Sequence, residues 1–205
     1  GLMQITQLAR IMRLKNPVIK RGVKIQRLYV WAQGVNISAV EPEINDVVQA
    51  FLDDERNKAE LTSHQARGER ETDLQQDGNL FFRFHINQIN GRIRISTVDP
   101  QEIDDIICNP EDKREPWFYK RVWTQKNLDG STHAHTVYYP DWRFTPRSKV
   151  GFTEKLAALG GLNGRIEWDT PVKHVAVNKM GRWGISEYYA ANDWALAYKS
   201  FLEQL

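Results

Sequence analysis

With 205 residues and a formal charge of +2, the chain is long enough to bury about 70% of the surface its unfolded form exposes, so it needs no cross-links to hold a core. Its lone Cys108 excludes an internal disulfide and any zinc site built from several cysteines, which fits a reducing compartment. No run approaches the roughly 18 apolar residues of a membrane span and the N-terminus lacks the apolar stretch of a signal peptide, so no membrane partner is expected.

In chain order, Leu8 to Leu14 reads as a short amphipathic helix that stops before Asn16-Pro17, because a residue preceding proline avoids helical angles. A second helix starts at Pro17. Its Val18, Val23, Ile25, Leu28, Tyr29 and Trp31 alternate with basic residues, the pattern of a helix half-buried against a sheet, and Gly34 ends it. The first forty residues hold Arg10, Arg13, Lys15, Lys20, Arg21, Lys24 and Arg27 and no carboxylate. Within that run Arg13, Lys20, Arg21, Lys24 and Arg27 are the candidates to meet DNA phosphates or an acidic partner; a solvated basic helix face with a mobile arm is the plainer reading. Ile44, Val47, Val48 and Phe51 predict a third helix to Leu52, capped by Asn45 or Asp46.

Arg56 to Gln76 favours helix yet has only Leu61 and Leu74 for a core, so this helix is expected to be mostly wet or to lie between partners, ending at Asp77-Gly78-Asn79. Leu80 to Ile86 and Arg92 to Val98 flank Asn90-Gly91, a dipeptide that tolerates positive φ at both centres of a hairpin turn. Asp99-Pro100-Gln101-Glu102 then supplies a cap, a first-turn proline and a carboxylate, predicting a helical turn that feeds a strand at Ile103 to Cys108. Trp117 to Trp123 and His135 to Tyr139 predict a second hairpin around Asp129-Gly130. Pro140 to Gly164 reads as a long mobile excursion with a flexible Gly160-Gly161-Leu162-Asn163-Gly164 loop, followed by strands at Arg165 to Trp168 and Val172 to Val177.

After breaks at Gly181 and Gly184, Ser186 is placed to cap a last helix that is still open when the chain stops. Trp194, Tyr198, Phe201 and Leu205 form one stripe on it. Such a stripe on a truncated helix implies a fragment of a larger protein with a missing partner surface, and with Trp183 these residues are the candidate subunit contacts. The whole of 1–205 is read as one α+β domain: a mixed or antiparallel sheet with helices packed on one side and at its ends.

Chemistry is sparse. His133 and His135 share one side of a strand, and with Asp129, Asp141 or His174 they would make a metal-dependent DNA-processing centre; two solvated loop histidines is the plainer alternative. His174, alternating with Val172 and Ala176, suits a partly buried structural histidine, and Cys108 a small buried filler. Asp53-Asp54-Glu55 and Asp104-Asp105 read as exposed charges at helix ends. The chain lacks a GxxxxGK phosphate loop, a dinucleotide fingerprint and a GxSxG elbow, so neither cofactor nor catalytic residue is expected. The tryptophans of the C-terminal half suit subunit anchors or, interleaved with arginine, stacking on exposed bases.

The order of the pieces NPVIKRGV, DGNLFFRF, RISTVDPQEIDDIICNPED, WFYKRVW, PVKHVAVNK and GISEYYAANDWALAYKSFLE resembles the N-terminal wing region of tailed-bacteriophage portal proteins. That resemblance implies a non-enzymatic subunit of a homo-oligomeric ring, usually of twelve copies, at one capsid vertex of the virion, assembled in the host cytoplasm. Double-stranded DNA would pass through it non-specifically, and the terminase large subunit, the capsid and head–tail adaptor proteins would be its partners. The stem and clip segments of a complete portal would lie beyond this stretch. The alternatives from other classes are the metal-dependent enzyme above and a monomeric nucleic-acid-binding module built on Arg10 to Arg27.

Overall fold

A computed structural model describes residues 1–146 and 164–204. Helix α1 (Leu2–Lys15) stops because Asn16, before Pro17, takes extended angles, φ −97° and ψ 118°. The same Asn16 side chain accepts hydrogen bonds from the Val18 and Ile19 amides at 2.9 and 3.2 Å and so starts α2 (Pro17–Trp31). Ala9 and Met12 from α1, with Ile19 and Val23 from α2, build a small helical core with Tyr188 and Ala195. Helix α2 therefore packs on other helices and not, as its pattern suggested, against a sheet.

Helix α3 (Pro42–Asp53) starts earlier than expected because Pro42 occupies its first turn; the Asn45 side chain accepts from the Ala39 amide instead of capping. None of its residues is buried. The expected long polar helix is broken in two. A short α4 (Glu55–Asn57), capped by Asp54, runs into a π-helical turn at Lys58–Thr62, after which extended Ser63 accepts from the Ala66 amide to cap α5 (His64–Asp77). Nor is α5 wet: Ala66, Gly68, Thr72, Gln75, Gln76 and Asp77 are buried, with Tyr188 meeting Gln75, Arg10 meeting Asp77 and Thr72 bonding back to the Gly68 carbonyl. Gly78, at φ +72°, ends it as expected.

Strands β1 (Asn79–Ile86) and β2 (Ile93–Val98) form the expected hairpin, with Ile86 opposite Ile93. Its loop is not the two-residue turn that Asn90-Gly91 suggested. Gly91 alone of the pair has positive φ, and the Asn87 amide donates to the Arg92 carbonyl while the Gly91 amide donates to Asn87. Asp99 caps a 3₁₀ turn at Pro100–Glu102, and β3 (Ile103–Cys108), β4 (Pro116–Lys126), β5 (Thr132–Pro140), β6 (Arg165–Ile166) and β7 (Val172–Ala176) follow. Among the described residues the strands divide into two sheets, ordered β2-β1-β7 and β3-β4-β5-β6; the β5–β6 pair is parallel and the other neighbours antiparallel.

The main core draws on both sheets: Phe81, Val98 and Val172 from one, Ile103, Ile106, Tyr119, Val137 and Tyr139 from the other. Each large side chain removed from water there contributes about 1.5–3 kcal/mol before entropy is subtracted. The described helices and both sheets make an α+β architecture that ends in α6 (Tyr189–Glu203). Asp104 and Asp105 lie on β3, not at a helix end, where Lys120 and Arg182 face them. The Gly160–Asn163 cluster, most of the Pro140-to-Gly164 span and the Leu205 end of the aromatic stripe lie outside the described residues.

Candidate functional site

The joint that sets the direction of α6 is built on Asn79. Its buried side chain donates to the carbonyls of Asp77 and Gly184 at 3.1 and 2.9 Å and accepts from the Gly184 amide at 2.7 Å. Gly184 has no alternative, since a Cβ there would strike the Gly78 carbonyl. The same Asn79 oxygen lies 3.0 Å from Nε2 of His174, which fixes that nitrogen as the protonated one in a neutral ring. His174 also stacks on Phe81 at 4.3 Å, and burial together with the charge of Lys179 lowers its pKa to about 3. The structural reading of this histidine holds.

From that joint the chain is tied to the last turn of α5. Ser186 does not cap α6 directly: its hydroxyl donates to the Gln75 carbonyl at 3.2 Å and accepts from the Tyr188 amide, and the helix proper begins at Tyr189. Tyr188 donates its hydroxyl to Gln75 Oε1 at 3.1 Å, and burial raises its pKa. Ala195 then packs on α1 and α2, Asn192 is buried too, and the Asn16 side-chain NH2 donates to the Ala195 carbonyl at 3.4 Å. Asn192 is buried with neither polar side-chain atom bonded among the described residues.

With that side inward, the aromatic stripe is left in solvent: Trp194 is 78% exposed, Phe201 58% and Tyr198 54%. Beside it, α1, the start of α2 and the second half of α6 enclose an open groove of about 450 Å³ lined by Leu8, Ile11, Val18, Leu196 and Leu202, with Lys15, Lys199 and Glu203 among its polar residues. Leu8 and Ile11 were legible only as part of a short helix. The groove takes its third wall from α6, far away in sequence. Trp183 does not join this surface; the turn at Gly181 folds it back edge-on to Phe81 at 6.1 Å, where it packs against its own core.

The basic candidates separate as well. Lys20, Arg21 and Lys24 are exposed and make no ion pair among the described residues. Arg27 is folded onto α5, its guanidinium occupying the space over Gly68, and Arg13 lines a mixed-charge cleft with Arg70 and Asp73. Burial raises the pKa of Asp73 there, partly offset by Arg70. Sequence reasoning missed Arg10 as a structural anchor: it donates two hydrogen bonds to buried Asp77, at 2.6 and 3.0 Å, and two to Asp99. The Asp77 hydrogen bonds, against the cost of burial, hold its pKa above the ordinary arginine range.

The proposed metal histidines do not converge with their third ligands. His135 stacks on Trp123 at 5.1 Å, Asp141 accepts from the Tyr119 hydroxyl at 2.7 Å, and among the described residues no three His, Cys, Asp or Glu side chains gather at metal-binding distance. Cys108 packs against the main core, and burial raises its thiol pKa. No helix of the described residues is long and apolar enough to cross a membrane. The described residues thus define an α+β fold that carries an apolar helical seam beside basic side chains with no ion-pair partner among them. No family model matches the sequence, and no curated protein matches it.

Proposed function

We propose that this chain is the wing region of a tailed-bacteriophage portal subunit, a passive building block of a ring at one capsid vertex. DNA passes through that ring, and the terminase large subunit, the capsid and head–tail adaptor proteins dock on it. The observation that carries the reading is the α6 seam: Trp194, Tyr198 and Phe201 stand in water beside an apolar groove, a surface that costs free energy unless something covers it. The order of the six sequence segments, from NPVIKRGV to GISEYYAANDWALAYKSFLE, supports the choice of family by resemblance. A ring of identical subunits covers such a seam on every copy at once.

The test is ring assembly by the full-length subunit, read by negative-stain microscopy and sedimentation. Trp194→Ala is expected to weaken assembly, since large aromatics at an interface centre each contribute about 2 kcal/mol or more. Rings that form unchanged overturn the assignment of the seam. A second reading, a duplex-binding module, is favoured by Lys20, Arg21 and Lys24, which stand exposed without acidic partners among the described residues. It requires submicromolar DNA binding that falls steeply with salt, whereas a portal wing binds duplex weakly or not at all.

A further inference from the structure

The chain carries a second unpartnered surface with the opposite charge. From Glu41 to Glu55 it contains six acids and no basic residue, directly after a forty-residue run with seven basic residues and no acid. Glu41, Glu43, Asp46 and Glu55 make no ion pair among the described residues, just as Lys20, Arg21 and Lys24 make none. Helix α3 turns Glu43, Asp46 and Val47 outward, with Ile44 51% and Val47 70% exposed. On α2 the exposed cations are interspersed in the same way with Val18 and Leu28.

The acidic helix sits at the N-terminal approach of α5, and the basic helix α2 runs along α5, with Arg27 over Gly68 and Trp31 under Arg67. Helix α3 is fastened to the N-terminal approach of α5, where Asn57 donates to the Phe51 carbonyl and Thr62 to the Leu52 carbonyl. The groove formed with α6 is fastened to the C-terminal turn through Gln75 and Asp77. Among the described residues no ion pair joins the two within one chain. A single copy thus offers an acidic apolar helix and a separate basic apolar surface, complementary faces through which identical subunits can join head to tail.

We infer that α3 of one copy docks on α2 and the adjoining α1–α6 groove of a second copy, with Glu43 and Asp46 against Lys20 and Lys24. This rests on the reading of the chain as a ring subunit and names which faces meet. The contact is heterologous, so every copy donates one α3 and receives another, and a fixed rotation per step closes the ring.

The experiment uses two charge-reversed proteins, Glu43→Lys/Asp46→Lys and Lys20→Glu/Lys24→Glu, with self-association measured by sedimentation. All four positions are exposed, so circular dichroism is expected to match the parent. Each variant alone is expected to lose self-association by about tenfold or more, because like charges now face one another. Mixed in equal amounts the two should recover it as alternating copies, since both junctions in the mixture again pair opposite charges. Either variant assembling like the parent, or a mixture that stays apart, overturns this pairing and leaves the ring reading standing. A parent protein that remains monomeric at high concentration removes the ring reading and this inference together.

Discussion

His174 shows how one side chain couples the joint before α6 to pH. Its folded-state pKa is lowered from 6.5 to about 3, by burial first and the Lys179 charge second. Above pH 6.5 neither folded nor unfolded chain binds this proton, and the contribution to stability is flat. As pH falls below 6.5 the unfolded chain takes up the proton while the folded one refuses it until near 3, so stability is lost across that window. His85, whose pKa is lowered by burial and by the Arg83 charge, acts in the same direction. Between pH 7 and pH 5 His174 should cost the fold about 2 kcal/mol. His174→Gln keeps a donor for Asn79 without a titrating group, and its urea midpoint is expected to shift less over the same interval; an identical shift would remove His174 from the account.

At the scale of elements, Asn16 stands at three boundaries. It ends α1, caps α2 through the Val18 and Ile19 amides, and reaches the Ala195 carbonyl of α6. Asn16→Ala removes the cap and leaves those amides buried or half-buried, so the expected loss is about 1–2 kcal/mol in a denaturant titration. Faster hydrogen exchange in the first turn of α2 and in α6 should accompany it. The Asn-Pro stop was legible because it depends only on adjacent residues. The β1–β2 hairpin was legible for the same reason, although its turn was misjudged, because Asn87 and Asn90 use their side chains to brace a longer loop. Helix α5 and Trp183 were not legible. The groups that bury them come from elsewhere: Arg10 lies 67 residues from Asp77, and Tyr188 lies 113 from Gln75. Local composition reports solvent for a polar helix whose partners are distant in the chain.

At the scale of the whole molecule, a net charge of +2 conceals two fields of opposite sign, one on α1 and α2 and one on α3. Fields of this kind attract over a screening length that shrinks from about 10 Å at 0.1 M salt to about 3 Å at 1 M. Burial of an aromatic seam has no such dependence, and excluded salts such as sulfate strengthen it. An interface that uses both terms therefore weakens between 0.1 and 1 M sodium chloride without vanishing. The two kinds of variant separate those terms. Trp194→Ala should lower the association constant by a similar factor at both salt concentrations, because what it deletes is buried apolar area. Lys20→Glu/Lys24→Glu should lower it at 0.1 M and approach the parent at 1 M, because what it reverses is screened there. Sedimentation of the parent and both variants at the two salt concentrations distinguishes the outcomes. If the charge variant stays equally impaired at 1 M, the α2 cations act through short-range contacts and not through the field of α3.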